Sequence, residues 1–288
     1  MTLITSPQNT RLKALKRLAT RRERERSGRF LAEGEDLVLA AANAGRDAVE
    51  GFRLNGSALG GPAFHDVELD ALRAASTLGS GARVIGVYEQ RWSEPAGPLC
   101  IYLHGVGDPG NVGAVMRSAH AFGASCVALG PGCADPHSPK AVRASMGAIF
   151  SVALARVRDV AELPGERVAL LAGAPDVLRG REPERDRASS GASSAAAAST
   201  GAASSAAALT LLVGAEREGL PPQIVAACER SARIPIAGES LNAAMAATVA
   251  LYEVTRGNVG GAVELEPAPA AGASPRDGAL ASSRVRTS

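Results

Sequence analysis

The chain has 288 residues, of which 46% are hydrophobic and 3% aromatic, so a sizeable core of aliphatic side chains for one or two domains is expected. It has no apolar run of the ~20 residues that a membrane helix needs, and its charged N-terminus argues against a secretory signal peptide. The four cysteines lack CxxC spacing and the four histidines are scattered, which predicts reduced thiols, no metal site and a cytoplasmic protein.

Positive charge is concentrated at the N-terminus. Residues 1–30 hold nine Lys and Arg against two Glu, whereas the other residues together carry a net charge of −5. A basic segment beside a slightly acidic body favours a polyanion partner, here a nucleic acid. A solvated helix stabilised by Arg–Glu pairs and a mitochondrial transit peptide are the alternatives. Glu23 and Glu25 count against the transit peptide, which is normally poor in acidic residues.

Residues 1–95 are predicted to form a small basic α/β unit. Leu12, Leu15 and Leu18 recur at helical spacing among the cations, which gives a first helix with an apolar stripe. The next predicted elements are a helix over 35–44, strands over 49–54 and 84–88, and a linker over 89–98.

From Leu99 onward, strand patterns alternate with helix patterns, which predicts a mostly parallel α/β sheet. The segment 188–208 is almost purely Ala, Ser and Gly and is predicted to be a flexible insert. Residues 257–288 have the composition of a disordered tail. The predicted strands cover 99–103, 126–129, 168–171, 209–213 and 233–236, and the predicted helices cover 112–123, 139–145, 222–229 and 241–255.

The loop after the strand over 99–103 has the spacing of a dinucleotide-binding turn. Gly105, Gly107 and Gly110 spell G-x-G-x-x-G between a predicted strand and a helix. However, Pro109 restrains the preceding residue to extended conformations, and the next strand has no acidic residue at its tip to hold a ribose. We therefore predict that the helix begins at Val112 with Asn111 as its N-cap, and a nicotinamide or flavin site is disfavoured.

Two later stretches also place glycines, a carboxylate and small polar groups just past the ends of predicted strands. LTLLVGAEREGLPPQIV covers 209–225, and RIPIAGESLNAAMAATVALYE covers 233–253. In open α/β sheets, ligands bind at the carboxyl ends of the strands. The residues alone thus predict a small-ligand site formed by three loops, with Asn111 and Arg117 contributed by the first. An ordinary exposed helix arginine is the alternative for Arg117.

Three stretches together resemble the motifs of the SpoU/TrmH branch of the SPOUT superfamily, the RNA ribose 2′-O-methyltransferases. They are DPGNVGAVMRSAHAFGA at 108–124, LLVGAEREGL at 211–220 and IPIAGESLNAAMAATVALYE at 234–253. Residues 3–45 resemble the start of the substrate-binding domain that precedes many such catalytic domains. The resemblance covers roughly 1–95 and 99–256. The turn between Ile236 and Ser240 is about two residues shorter than the family pattern.

The resemblance implies an RNA substrate-binding domain over 1–95 and a methyltransferase domain over 96–256. The fold would be an α/β sheet with a deep trefoil knot at its C-terminal end, a rare exception to unknotted chains. S-adenosyl-L-methionine would bind among the knot loops, without a metal, in a homodimer whose active sites lie at the subunit interface. The expected substrate is RNA, with ribosomal RNA favoured over transfer RNA.

Site residues follow from the resemblance position by position, and the RNA contacts follow from the basic segment. Because a guanidinium stays protonated, we expect Arg117 to clamp a phosphate and polarise the ribose hydroxyl, oriented by Asn111 and Glu216, rather than to act as a base. Arg143 is a candidate RNA contact, with a structural role as its alternative. The candidate catalytic residues are Arg117, Asn111, Glu216, Ser240 and Asn242; the candidate cofactor-binding residues are Gly214, Glu216, Gly219, Ile234, Ile236 and Leu241; the candidate RNA-binding residues are Arg11, Lys13, Arg21, Arg22, Arg24, Arg29 and Arg143.

Two other functions compete with methyl transfer. An NAD-dependent oxidoreductase would use the glycine loop at 105–110 as its phosphate cradle. A non-catalytic RNA-binding protein would keep the knot without the reaction, although the presence of both Asn111 and Arg117 argues against it.

Overall fold

The computed structural model describes residues 3–78, 81–179, 208–238 and 240–256. The predicted tail over 257–288 and, apart from Ala208, the predicted insert over 188–208 lie outside these residues. None of the helices within the described part of the chain is long and apolar enough to span a bilayer.

The N-terminal part is a four-stranded sheet with helices beside it. Its strand order is β1-β4-β2-β3, in which β4 is antiparallel to both β1 and β2 while β2 and β3 are parallel. The first helix presents Leu12 and Leu15 to the interior, as their spacing predicted. The elements are α1 (Thr10–Arg17), α2 (Arg21–Ser27), β1 (Arg29–Glu33), α3 (Glu35–Asn43), β2 (Glu50–Leu54), β3 (Phe64–Val67), α4 (Leu69–Ala75) and β4 (Val84–Glu89).

The C-terminal part is a six-stranded sheet of order β10-β8-β9-β5-β6-β7, in which every neighbouring pair is parallel. The predicted mostly parallel α/β sheet is therefore confirmed. All strand carboxyl ends lie at one edge of this sheet. The elements are β5 (Leu99–Leu103), α5 (Pro109–Ala121), β6 (Cys126–Leu129), α6 (Pro139–Ala144), β7 (Ala153–Arg156), β8 (Glu166–Leu170), β9 (Leu209–Val213), α7 (Pro222–Ala226), β10 (Arg230–Ala232) and α8 (Ala243–Thr255), with short 3-10 turns at Ala148–Phe150 and Val160–Glu162.

The two sheets share an apolar core. Phe30 and Tyr88 of the first sheet belong to the same buried cluster as Ile101, Met116 and Phe150 of the second part. The Phe30 and Phe150 rings stack with centroids 5.9 Å apart, and Tyr88 meets Phe150 edge-on at 4.8 Å. The N-terminal part therefore packs against the C-terminal part through a buried apolar contact.

Several predicted boundaries were wrong: among them, α7 ends at Ala226 and not at residue 229, and β8 covers Glu166–Leu170 and not 168–171. Two others bear on the site. The helix α5 begins at Pro109 and not at Val112, and its N-cap is Asp108, whose carboxylate accepts hydrogen bonds from the Gly110 and Asn111 amides. Proline suits the first helical position, and it holds the preceding residue in the extended conformation that an N-cap needs. The strand predicted over 233–236 is instead β10 at Arg230–Ala232, followed by a single bridge from Arg233 to Val177.

Candidate functional site

Three polar side chains from separate loops meet at the carboxyl edge of the parallel sheet. The Asn111 side-chain amide donates to Oε1 of Glu216, and the Asn242 amide donates to the same oxygen and to Oδ1 of Asn111, both at 3.2 Å. We call these three residues the amide–carboxylate triangle. The predicted convergence of the three loops is thus present in the structure.

The orientation of the Asn242 side chain is fixed by the helix that follows it. Asn242 is the N-cap of α8, and its Oδ1 accepts hydrogen bonds from the Ala244 and Met245 amides. Its nitrogen is therefore left to donate into the triangle, where the Glu216 carboxylate only accepts. One asparagine both begins the helix and holds the loop carrying Glu216.

A cleft of 190 Å³ opens beside the triangle. Glu216 lines both, and Ser240 also faces the cleft. Most of the remaining wall is apolar or backbone, which suits a flat heterocycle and an aliphatic chain. The lining comprises Leu170, Leu171, Ala172, Val213, Gly214, Ala215, Glu216, Gly219, Ile234, Ile236, Ser240, Leu241, Ala243 and Ala246. All six candidate cofactor-binding residues are in this set, and none of the glycines at 105–110 is.

The loop between β9 and α7 closes tightly at the rim of this cleft. The Gly219 amide donates to the Ala215 carbonyl at 2.9 Å, and Gly219 adopts a positive φ of 65°. A Cβ on Gly214 would lie 2.2 Å from the Gly219 carbonyl carbon. A side chain at Gly214 would therefore push the loop open, and the wall of the cleft needs glycine there.

Arg117 stands apart from the triangle. It lies exposed on α5 and makes no hydrogen bond or ion pair with any residue that the structure describes. Asn111 and Arg117 are six positions apart, which on a helix of 3.6 residues per turn places them on different faces. The expectation that Asn111 and Glu216 orient Arg117 directly is therefore not met within the described chain.

The basic N-terminal residues divide into exposed cations and one buried cation. Arg24 has only 4% of its side chain exposed, forms an ion pair with Asp135 at 2.7 Å and donates to the Leu18 and Ala19 carbonyls. The prediction that Arg24 contacts RNA is therefore corrected. Its guanidinium is buried and is occupied by Asp135 and the two backbone carbonyls. The other candidates, all exposed, are Arg11, Lys13, Arg21, Arg22, Arg29 and Arg143.

Sequence reasoning missed an ion pair at the start of α5. Asp108, the N-cap, also accepts from Lys140 of α6 at 2.7 Å, and this hydrogen bond holds the pKa of Asp108 below its ordinary value. An Asp directly before Pro and a helix was a readable cap signal. Among the described residues, no group of three or more His, Cys, Asp or Glu side chains is arranged to hold a metal ion.

A ligand cleft and a polar cluster at the carboxyl edge of a parallel sheet are the features of an open α/β ligand-binding protein. The model of the SpoU rRNA Methylase family matches residues 98–252, more than half of the chain. The chain belongs to the SpoU rRNA Methylase family. The model of the MRM3-like substrate binding domain matches residues 9–90.

Individual relatives agree with the family match. The 23S rRNA (guanosine(2553)-2′-O)-methyltransferase RlmP of Bacillus subtilis is 27% identical over 88% of this chain and 99% of its own length. The 23S rRNA (uridine(2479)-2′-O)-methyltransferase of Streptomyces viridochromogenes is 34% identical over 55% of this chain, which spans 53% of that relative. The AdoMet-bound rRNA methyltransferase from Sinorhizobium meliloti superposes with a TM-score of 0.72 at 28% identity, covering 88% of this chain and 97% of that one.

Proposed function

We propose that this protein transfers a methyl group from S-adenosyl-L-methionine to a ribose 2′-hydroxyl of ribosomal RNA. The observation that carries the proposal is the joint placement of the triangle and the cleft at one sheet edge in a chain of this family. The rRNA methyltransferase names of similar proteins support the choice of RNA.

The cleft residues fit the cofactor. Its apolar wall suits an adenine ring, while Glu216 and Ser240 supply polar groups at the rim. S-adenosyl-L-methionine supplies an activated methyl group when bound. The backbone around Gly214, Ile234 and Leu241 would line its pocket, and Asn242 would keep the loop of Glu216 closed over it.

We assign to Arg117 the role of activating the nucleophile, the ribose 2′-hydroxyl. Its guanidinium stays protonated, so it can clamp an RNA phosphate and donate to the 2′-oxygen as negative charge develops there. The hydroxyl proton then leaves to a phosphate oxygen or to water. Arg117 is exposed and has no protein partner in the described chain, which leaves its donors available for RNA.

We further propose a homodimer in which Arg117 of one subunit serves the cleft of the other. The outer face of α8 exposes Met245 (61%), Val249 (40%) and Tyr252 (54%) at helical spacing. This stripe adjoins α5, since Ser118 hydrogen-bonds Thr248. A dimer contact over the stripe would bring Arg117 to the partner subunit's site.

The remaining features of the proposal concern RNA, topology and location. Residues 1–95 would bind RNA through exposed cations such as Arg21, Arg22 and Arg29, and residues 96–256 would carry the reaction in the cytoplasm.

We propose a deep trefoil knot in the second part. Its support is that β9 lies between β5 and β8, so that a late segment of the chain enters the middle of the sheet.

The Arg117→Ala variant tests the catalytic assignment. We expect its turnover on ribosomal RNA to fall by at least about a hundredfold, the scale of lost transition-state electrostatics. Its dissociation constant for S-adenosyl-L-methionine should stay within about twofold of wild type, because Arg117 is assigned to the RNA and does not line the cleft of its own subunit. Tritium transfer from labelled cofactor and calorimetric titration measure the two quantities.

Arg230→Ala is the matched control, because Arg230 is an exposed arginine at the amino end of β10, outside residues 1–95 and opposite the carboxyl edge that carries the site. It should keep wild-type turnover. Unchanged turnover in Arg117→Ala, with cofactor still bound, would remove the role given to Arg117. Absence of methyl transfer by the wild-type protein on any ribosomal RNA would remove the proposed function itself.

A further inference from the structure

A second cavity, of 340 Å³, lies at the junction of the two sheets. We call it the junction pocket. None of its lining residues lines the cleft beside Glu216. Its wall comprises Phe30, Arg46, Arg91, Trp92, Ser93, His137, Ile149, Phe150, Ser151, Val152, Ala153 and Leu154.

One wall of the junction pocket is formed by Arg91, Trp92 and Ser93, in the segment that follows β4. The Ser93 amide donates to the Leu154 carbonyl at 2.9 Å, so this segment runs along the free side of β7. Phe30 of β1 and Arg46, which follows α3, close the pocket from the N-terminal part. It therefore combines residues from both regions matched by family models.

The junction pocket carries unbalanced positive charge. Arg46 and Arg91 line it, and the Arg156 guanidinium lies 4.1 Å from the centroid of the Trp92 ring. Within the described chain none of these three arginines forms an ion pair, and no Asp or Glu lines the pocket. Burial and then the charge of Arg91 lower the pKa of Arg46, against the opposing effect of Glu89. Guanidinium groups gathered where the pocket wall holds no carboxylate favour an anionic ligand.

His137 adds a second, independent observation. Only 2% of its side chain is exposed, and its buried Nδ1 has no hydrogen-bond partner among the residues that the structure describes; the Asp135 carboxylate oxygen lies 3.8 Å away. Burial first, then the charges of Arg156, Arg24 and Arg46, lower its pKa to about 4 against the opposing effect of Asp135, so the ring is neutral at pH 7. A buried polar atom without a partner is costly and calls for an explanation.

Aromatic rings complete the wall. The His137 ring lies 4.9 Å from the ring of Phe30 and 5.1 Å from that of Trp92, and Arg46 lies over the Phe150 ring at 6.0 Å. Aromatic rings beside cations are the combination that binds single-stranded nucleic acid, because bases stack while phosphates pair with arginine. The volume of 340 Å³ falls within the range of about 300–1,000 Å³ typical of small-ligand pockets.

We propose that the junction pocket binds one unstacked nucleotide of the substrate RNA, distinct from the nucleotide that is methylated. Arg46 and Arg91 receive its phosphate, and its base lies against the aromatic wall beside His137. The proposal rests on the proposed function for the identity of the RNA. It gives the junction a role in holding the substrate while the reaction takes place at the separate cleft.

Trp92 is the only tryptophan in the chain, so its fluorescence reports on the junction pocket directly. The full-length protein is titrated with an in vitro transcript of 23S ribosomal RNA, and separately with adenosine and uridine 5′-monophosphates. Filter binding measures RNA occupancy independently. We expect saturable quenching that follows occupancy by the RNA, with mononucleotides needing concentrations more than a hundredfold higher. Mononucleotides that quench as tightly as the RNA would identify a free-nucleotide site and overturn the proposal.

The Arg91→Gln variant tests the phosphate contact, because the exposed Arg91 has no hydrogen bond within the described chain whose loss would disturb the fold. We expect its RNA affinity to fall about threefold to tenfold and the slope of log Kd against log salt to decrease by about 1. Arg230→Gln is the control, because Arg230 is an exposed arginine at the amino end of β10, outside residues 1–95 and outside both cavities; it should keep the wild-type slope and quenching.

The experiments distinguish an error in the junction-pocket proposal from an error in the proposed function. RNA that is bound and methylated while Trp92 emission stays unchanged would overturn the pocket alone. Equal salt slopes for Arg91→Gln and the wild type would also overturn it. Quenching by RNA without any methyl transfer would leave the pocket standing and remove the reaction.

Discussion

Asn242 performs two tasks with one side chain. Its oxygen caps α8, and its nitrogen donates to Asn111 and Glu216. The two tasks separate chemically, because aspartate is as good an N-cap as asparagine but has no N–H to donate. The stability of α8 and the closure of the site can therefore be tested one at a time.

We predict that Asn242→Asp lowers turnover by at least about tenfold, equivalent to ~1.4 kcal/mol. The new carboxylate would face Glu216 without a bridging proton and would repel it. The melting temperature should change by only a few degrees, since the helix cap is kept. Steady-state methyl transfer and calorimetry measure the two effects.

The double variant Asn242→Asp with Glu216→Gln is the internal control. The side-chain amide that it introduces at position 216 can donate to the new carboxylate, which restores a bridge of reversed polarity. Part of the lost turnover should return. A double variant whose defect equals the sum of the single defects would indicate that the triangle does not act as a unit.

Single residues could be assigned from the sequence only where the neighbouring residues in the chain indicate their role. Asn111 and Glu216 were placed in loops that follow predicted strands, Asn242 was assigned through the family resemblance, and the structure brings the three together. Arg24 looked like its neighbours Arg21 and Arg22 in a run of cations. Its burial depends on Asp135, 111 positions away, and nothing in the local pattern encodes that distance.

Elements were predictable where their patterns were strong. The strands β5, β6 and β9 have their predicted bounds, because buried parallel strands are short continuous apolar runs. The last strand was misplaced because RIPI has an apolar alternation, while the chain pairs with β8 through the preceding RSA instead. Pairing partners, and not local propensity, decide such a short strand.

The pair of helices α5 and α6 pack closely at Gly113. A Cβ there would lie 2.4 Å from the Ala141 carbonyl oxygen and 2.6 Å from Cβ of Ala144. The glycine thus lets two helix backbones approach each other, and α5 is the helix that carries Asn111 and Arg117. Gly113 therefore serves the packing of these two helices.

We predict that Gly113→Ala lowers the free energy of unfolding by about 1–3 kcal/mol, the usual cost of overpacking. The loss should appear even though alanine is intrinsically better than glycine in a helix by ~1 kcal/mol. Urea denaturation with an unchanged m-value measures it. Gly173→Ala is the matched control, because a Cβ there meets open space. A Gly113→Ala protein as stable as the control would contradict the packing argument.

At the scale of the whole molecule, the two sheets are joined by more than a linker. Phe30 and Tyr88 pack into the core that surrounds Phe150, and the Arg24–Asp135 ion pair crosses the same junction with 4% and 12% of its side chains exposed. A buried pair has lost most of its hydration, so either partner left alone is strongly destabilising. This arrangement couples the basic N-terminal part to the loop that leads into α6.

We predict that Arg24→Ala and Asp135→Ala each lower the free energy of unfolding by about 3 kcal/mol or more, because each leaves its buried partner charged and unpaired. The double variant should lose less than the sum of the two, with a coupling energy of about 0.5–3 kcal/mol. Urea unfolding followed by Trp92 fluorescence reports the junction, and far-ultraviolet circular dichroism reports both sheets. In the wild type the two signals should coincide in one transition, whereas in either single variant the Trp92 transition should come first. Additive losses together with coincident transitions in all variants would mean that the ion pair does not couple the two sheets.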